Sequence, residues 1–185
     1  MALKNMKMCM KITLLLLVVM GCLACAKKSY IDVEYRLPLA SETLVGRTVS
    51  VETRDLRSNT EIFNKRANEK FEHFTGLFAL SLVMSDEQQK IVGAYPLPKL
   101  FEAALTQRLQ KLGVGVSTAT SPSVAVFQIN INQFHINLVG QKWMADISYE
   151  VSLTQDTQLV AREVVSGSAE RLKVMGSGGA EKVIG

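Results

Sequence analysis

Trp143-Met-Ala-Asp-Ile-Ser-Tyr-Glu-Val-Ser-Leu153 is the stretch that decides the fold of this chain. Its odd-numbered positions are all apolar, while the even-numbered positions are Met, Asp, Ser, Glu and Ser. Alternation with a period of two predicts a β-strand that has one buried face and one solvated face. Short connections flank it, Gly140-Gln-Lys142 and Gln155-Asp-Thr157, so we expect antiparallel neighbours on both sides.

The strand before it is expected at Val124–Leu138 and changes phase part of the way along. Phe127, Ile129 and Ile131 share one parity, whereas Phe134, Ile136 and Leu138 share the other. Since a slip of one residue turns a strand over, we predict a β-bulge or a bend near Asn132-Gln133. The strand after it is expected at Leu159–Val174, and Gly167 is a candidate for a second bulge.

One helix is clearly predicted upstream of these strands. Pro98 suits its first turn, and Gly113 lies where a helix commonly ends. The apolar face and the polar face between them follow helical spacing. The apolar face is formed by Phe101, Ala104, Leu105 and Leu112, and the polar face by Lys99, Glu102, Gln107, Arg108 and Lys111.

The rest of the chain adds shorter elements. Thr48–Glu52 predicts the first core strand, Leu77–Met84 a buried strand, and Ile31–Tyr35 a short edge strand. Glu61–Phe74 predicts a short helix or an irregular segment. We therefore expect an α+β fold. It consists of an antiparallel sheet of about four to five strands and one main helix, at about residues 98–112, which packs on one face of the sheet.

The first residues predict export and a lipid anchor. Lys4, Lys7 and Lys11 precede the apolar run Ile12–Met20, which ends at Gly21-Cys22. A basic start, a short apolar core and small residues at the cut are typical of a signal peptide. We expect residues 1–21 to be the signal peptide and Cys22 to carry covalent lipid, including palmitate, in the manner of a bacterial lipoprotein.

Two alternatives stay open for this segment. Cys25, in Leu23-Ala-Cys25, is a second candidate for acylation, and an uncleaved signal anchor is a third interpretation, although the run is short for a membrane span. Leu23 rather than Asp follows Cys22, which favours the outer membrane, with the domain facing the periplasm. We expect residues 22–43 to be a lipid-anchored tether and 44–185 a single periplasmic domain.

Charge and cysteine content agree with this arrangement. The chain has 21 basic and 17 acidic residues, and three of its lysines precede Cys22, which leaves a nearly neutral mature protein. We therefore expect no nucleic-acid partner. All three cysteines (Cys9, Cys22 and Cys25) lie at or before the anchor, so no disulfide framework and no cysteine metal site is expected in the domain.

The C-terminal residues predict the start of another element. Gly176-Ser-Gly-Gly179 is typical of a loop, and Ala180–Ile184 resembles the first turn of a helix that is too short to be stable alone. We expect either a chain that is cut short at this helix or a sheet that finds its cover in a partner.

The segment Thr43–Arg57 resembles the YajG-type lipoproteins, as does the order of a helix that ends in glycine, a long strand and a hairpin. Ile31-Asp-Val-Glu34 and Asp55-x-Arg57 also sit in matching places. The resemblance implies an α+β periplasmic domain on a lipid anchor without established enzymatic activity. Tyr35-x-Leu-Pro38 gives a more distant resemblance to auxiliary lipoproteins of ABC-type lipid transport.

No residue set in the sequence indicates a reaction. The two histidines, His73 and His135, lack the spacing of a metal site, and no nucleophile motif or phosphate loop is present. Asp55 and Arg57 are candidates for a loop contact with a ligand, but a carboxylate that caps backbone amides while pairing with the arginine is the favoured interpretation. We expect Trp143 to pack in the core or at the edge of the sheet.

The sequence therefore predicts a non-enzymatic lipoprotein that has no catalytic residues, no metal and no cofactor besides the lipid on Cys22. We expect it to contact the membrane through its anchor, and an envelope protein or a second copy of itself through a sheet edge or the helix–sheet groove. The alternative is an auxiliary lipoprotein of a lipid-transport or secretion assembly, which would need an apolar groove for an acyl chain.

Overall fold

A computed structural model describes residues 29–84, 88–118 and 124–172 of the chain. These residues contain eight strands and two helices. In chain order they are β1 (Tyr30–Arg36), β2 (Thr48–Asp55), α1 (Lys65–Asn68), β3 (Leu77–Val83), β4 (Gln89–Tyr95), α2 (Leu97–Lys111), β5 (Gly115–Ser117), β6 (Ala125–Val139), β7 (Lys142–Gln155) and β8 (Gln158–Leu172).

The strands form two mixed sheets, so the predicted fold class is wrong. One sheet has the order β1-β3-β4 and the other the order β5-β2-β6-β7-β8. β3–β4, β6–β7 and β7–β8 are antiparallel, but β1–β3, β2–β5 and β2–β6 are parallel. Strands dominate the described residues, and the expected single antiparallel sheet does not form. Parallel pairs need long crossovers, which local alternation of side chains does not reveal.

Several individual elements lie where the sequence predicts them. α2 (Leu97–Lys111) carries Pro98 in its first turn and is followed by Gly113, which adopts φ +85°. Left-handed backbone of this kind suits glycine and ends the helix. α1 is a short helix within the otherwise irregular segment 61–74, and β1 is an edge strand of its sheet. Since Ile31 and Val33 of β1 are buried, Tyr30–Arg36, within the stretch assigned to a tether, belongs to the folded domain.

The predicted bulge in β6 is confirmed. Ile131 pairs with Tyr149 of β7 and Gln133 pairs with the next residue, Ser148, so Asn132 is one residue in excess. Because of this extra residue, the apolar side chains before and after the bulge face the same side of the sheet, although their parity differs. As a result, the buried side chains on both sides of the bulge point to the same core: Ile129, Ile131, Phe134, Ile136 and Leu138.

The bulge predicted at Gly167 of β8 is wrong. Gly167 pairs in regular register with Ile147 of β7. The irregularity lies nearer the hairpin, where Leu153 pairs with Ala161 and Thr154 with Leu159, which leaves Val160 in excess. A glycine inside a strand permits a bulge without requiring one.

The core lies between the inner faces of the two sheets. Phe78 of β3 and Phe134 of β6 meet with ring centroids 5.6 Å apart and planes nearly perpendicular. A chain of ring contacts continues through Phe74, Phe63 and Phe71 to Trp143. Trp143 is almost fully buried, which selects the core from the two expected positions. Edge-to-face aromatic contacts add to the energy of burial itself.

Asn64 provides hydrogen-bond partners for β6 beyond the point where its pairing with β2 ends. Its side-chain amide donates to the carbonyl oxygen of Leu138 and accepts from the Leu138 N–H, both at 3.2 Å. The same side-chain oxygen accepts from the Ala67 N–H at 2.9 Å and caps α1. Ile136 N–H also donates to the Ile62 carbonyl oxygen at 2.7 Å. The segment before α1 thus takes the place of a strand beside β6.

Asp55 and Arg57 clamp the chain at the β6 bulge. Arg57 Nε and Nη2 donate to the two carboxylate oxygens of Asp55 at 2.8 and 2.7 Å, and the Arg57 N–H donates to the same carboxylate. Arg57 Nη1 reaches the Phe134 carbonyl oxygen, while Leu56 N–H donates to the Ile131 carbonyl oxygen at 2.9 Å. The pair and the Leu56 N–H between its two members therefore connect the end of β2 to both sides of the bulge.

Asn64→Ala is expected to lower the free energy of unfolding by about 2–3 kcal/mol, because it removes a helix cap and leaves two backbone groups of Leu138 without partners. Chemical denaturation measures this loss. Asn68→Ala, at the exposed end of the same short helix, should change stability by less than about 0.5 kcal/mol. Equal losses in the two variants would contradict the role of Asn64.

Asp55→Asn is expected to lower the free energy of unfolding by about 2 kcal/mol at neutral pH, because the nearly buried guanidinium of Arg57 loses its charged partner. The side-chain hydrogen bonds from Arg57 lower the pKa of Asp55 from its ordinary 3.8. A lowered folded-state pKa stabilises the protein above the unfolded pKa, and this stability is lost as pH falls through the folded value.

The difference between the parent and Asp55→Asn should therefore be largest near pH 7 and shrink below about pH 4. Denaturation curves across this range measure it. Asp146→Asn, the same change on the outer face of β7, is the matched control and should give a small difference at every pH. A pH-independent loss in Asp55→Asn would contradict an effect that depends on the ionised pair.

Candidate functional site

A groove of about 450 Å³ runs between α2 and the inner face of the larger sheet. Phe101 and Ala104 line it from α2, and Ile147, Tyr149 and Val151 line it from β7. Residues of β1, β3 and β6 complete its walls. Its size falls within the range of small-molecule sites in proteins, and its lining is mostly apolar, as such sites usually are.

The groove exists because the helix lies over one side of the sheet. α2 packs on β2, β5 and the smaller sheet, so the face of β7 is only partly covered. Phe101 bridges the gap through an edge contact with Tyr149, with centroids 5.4 Å apart. Ala104, one turn further along α2, is too small to fill the space beneath it. The result is a hollow with apolar walls.

Three polar side chains close to one another line this groove, namely Tyr35, Arg108 and Tyr149. Arg108, one turn beyond Ala104, is exposed, and its Nη1 donates to the Tyr35 hydroxyl oxygen at 3.2 Å. Burial raises the pKa of the Tyr149 hydroxyl above its ordinary 10.0; the nearby Tyr35 also raises this pKa, while Arg108 lowers it. Tyr149 is therefore a neutral phenol near pH 7, and the three side chains supply hydrogen-bond donors beside one positive charge.

A second, smaller hollow of about 190 Å³ adjoins the groove. Phe134 and Ile147 line both cavities, and Gly167 and Ala169 of β8 line the smaller one. Because these β8 residues have little or no side chain, the apolar surface continues from α2 across β7 towards β8.

The residues that the sequence put forward for a loop contact do not belong to this groove. Asp55 and Arg57 bind each other and the backbone of β6, as described for the clamp. This geometry agrees with the favoured interpretation of the pair, and neither side chain lines either cavity described above.

The two histidines have local partners. His73 Nε2 lies 3.3 Å from the neighbouring Glu72 carboxylate, and His135 Nδ1 lies 3.0 Å from the Glu61 carbonyl oxygen. In the described part of the chain, no group of three or more histidine, cysteine, aspartate or glutamate side chains is close enough to hold a metal ion.

The predicted lipid attachment lies outside the described residues, which begin at 29. The candidates Cys22 and Cys25, the signal peptide, and the C-terminal loop and helix expected after residue 175 are therefore predictions only. None of the helices within 29–84, 88–118 and 124–172 has the length and apolarity that crossing a bilayer would need.

Sequence reasoning missed the polar side chains of the groove. Arg108 was assigned to the solvated face of the helix, and Tyr149 to the buried face of its strand. The spacing of Phe101, Ala104 and Arg108 does place the arginine at the border of the apolar face, which was an available signal. Its proximity to Tyr35, 73 residues earlier, depends on the crossover between the sheets and leaves no local pattern.

The solved proteins with structural similarity to this chain include three at low sequence identity. A DUF330 protein from Xanthomonas campestris has a TM-score of 0.48 at 10% identity, with 83% of this chain and 85% of that chain covered. A neuraminyllactose-binding hemagglutinin homolog from Helicobacter pylori has a TM-score of 0.37 at 8% identity, with 78% and 80% covered. The lipoprotein GNA1162 from Neisseria meningitidis has a TM-score of 0.31 at 12% identity, with 74% and 90% covered.

Neither the protein-family models nor the curated proteins gave a match to this chain. TM-scores below 0.5 at these identities do not establish a family or a function. The resemblance to YajG-type lipoproteins therefore stays a prediction.

Proposed function

We propose that this protein is a non-enzymatic lipoprotein of the outer membrane whose domain binds a single-chain amphiphile. The acyl chain occupies the helix–sheet groove, and the anionic head lies beside Arg108. The observation that carries this proposal is the groove itself, an apolar space of about 450 Å³ whose lining includes a cation and two phenols. The proposal develops the alternative from the sequence, an auxiliary lipoprotein of a lipid-transport or secretion assembly, which needs an apolar groove for an acyl chain.

The apolar walls favour a hydrocarbon occupant. Each methylene transferred from water to such a surface contributes about 0.8 kcal/mol. Phe134 and Ile147 continue the apolar surface into the adjoining hollow, so an extended chain has more room than a compact ring system would use. Arg108 lines the groove and is itself exposed, so a polar head beside it can stay in water while the chain is buried.

The donors of the three polar side chains favour a negative head group. Arg108 has donors left after its bond to Tyr35, and the Tyr35 hydroxyl, which accepts that bond, keeps its own hydrogen to donate. Tyr149 supplies a further donor because its raised pKa keeps it protonated. A carboxylate or a phosphate monoester matches such a set, and charge-assisted hydrogen bonds are stronger than neutral ones.

The predicted anchor supports the same proposal. A lipoprotein acylated at Cys22 stays at a membrane surface, since several chains make attachment stable. A groove for a membrane-derived amphiphile is then held close to its source.

Ala104→Trp is expected to abolish binding of the fluorescent fatty acid cis-parinaric acid, because an indole at this position fills the groove. Titration of the full chain with the probe, followed by its fluorescence, measures the dissociation constant. Gln110→Trp, which adds the same ring to an exposed position of α2, should bind as the parent does. Unchanged binding in a folded Ala104→Trp protein would contradict the groove as the site.

Arg108→Gln is expected to weaken binding of cis-parinaric acid by about tenfold, the effect of losing roughly 1.4 kcal/mol of charge-assisted hydrogen bonding. The methyl ester of the same acid carries no charge and should bind the parent and the variant with nearly equal affinity. Equal losses for the acid and the ester would contradict recognition of a negative head while leaving the apolar groove in place.

A further inference from the structure

β8 presents a long outer edge that has no neighbour among the described residues. It is the last of the five strands of its sheet, it runs for 15 residues, and Val165 is the one residue within it that is not exposed. An edge strand offers a row of backbone donors and acceptors to any strand that approaches it. Long edges of this kind are usually protected by lysine, proline or a short length, and residues 158–172 contain neither lysine nor proline.

Apolar side chains stand along this edge. Val160, Val164 and Leu172 expose 59%, 61% and 67% of their surfaces. Val164 and Leu172 lie on the same face of the strand as Arg162 and Glu170, since their numbers are even and the pairing with β7 is regular from Ala161 to Leu172, whereas Val160 is the bulged residue. The edge therefore combines unpaired backbone, exposed apolar groups and two opposite charges.

We infer that β8 pairs with β8 of a second copy of this chain, antiparallel and with Ser166 opposite its own copy. A two-fold axis perpendicular to the sheet relates the two strands, as in an isologous dimer. Directly opposite residues in an antiparallel pair lie on the same face, so only registers that match even with even positions are allowed. The register centred on Ser166 meets this condition.

Charge complementarity selects this register. Arg162 of one copy lies opposite Glu170 of the second copy, and symmetry makes this contact twice. Val164 lies opposite Ser168 of the second copy, and Ser166 faces Ser166 at the centre. Opposite charges directly across two strands are stabilising.

The inner face agrees with the same register. Glu163 lies opposite Ala169 of the second copy and diagonal to Arg171 of the second copy, within reach of its long side chain. Val165 lies opposite Gly167, so the centre of the pair is not crowded. Both faces therefore carry matched contacts.

Neighbouring registers lose this match. A centre at Val165 would put Arg162 opposite Ser168. A centre at Gly167 would bring Glu163 opposite Arg171, but it would leave Arg162 opposite Leu172 and Glu170 opposite Val164. Within the sheet of each copy, Arg162 is ion-paired with Glu150 of β7, and Glu170 is ion-paired with Lys142 of β7. These ion pairs fix the position of both charged side chains on β8.

Disulfide trapping tests both the pairing and its register. In the full chain, Ser166→Cys places two thiols directly opposite each other, with Cα atoms about 4.5–5.5 Å apart, within the span of a disulfide. Mild oxidation followed by a non-reducing gel should then give a covalent dimer well above the level of the parent, which carries Cys9, Cys22 and Cys25. Ser168→Cys is the matched control, because its two copies would lie about 13 Å apart, four residues out of register.

Strong trapping at 166 together with the parent level at 168 supports the inference, whereas no excess at 166, or equal trapping at both positions, overturns it. A second measurement does not depend on the cysteines. Light scattering of the parent chain in detergent should give two copies per particle, and Arg162→Glu, which faces Glu170 of the second copy, should give one. A parent that contains a single copy would overturn the inference whatever the groove binds.

Discussion

The architecture depends on one extra residue in β6. This strand is 15 residues long and contributes to the core at both ends, which a regular strand with the same sequence would not do, since its apolar side chains change parity part of the way along. Asn132 restores the phase, so Ile131 and Phe134 face the same interior. Residues 55–57 connect β2 to the backbone on both sides of this point, and Phe134 just beyond it meets Phe78 of the smaller sheet.

The groove follows from the same arrangement. Phe134 and Ile147 form its floor, while α2, displaced towards β2 and the smaller sheet, forms its roof. Where the helix stops covering β7, Phe101 spans the gap and Ala104 leaves space beneath it. A folded core usually excludes hollows of this size, because unfilled space costs dispersion energy. An apolar ligand would recover that energy, which is why the cavity supports a binding role.

The groove and the outer edge of β8 are different surfaces of the same sheet, although Gly167 and Ala169 of β8 line the smaller hollow beside the groove. Occupation of the groove buries apolar side chains of α2, β6 and β7, whereas pairing at β8 satisfies backbone groups at the far side of the sheet. A two-fold axis perpendicular to the sheet would leave both grooves on the same side of the pair.

What the sequence determined by itself was local. Alternation located β6, β7 and β8, the change of parity located the bulge, and proline and glycine located the ends of α2, because these signals arise between residues that are neighbours along the chain. The sequence also allowed the burial of Trp143 and the pairing of Asp55 with Arg57 to be predicted, since both follow from residue type and short spacing. Tertiary structure alone decided that β2 pairs in parallel with β6, that two sheets form rather than one, and that Arg108 meets Tyr35. These contacts join residues some 70 or more positions apart, and their energy comes from burial and crossover geometry, which leave no periodic trace in the chain.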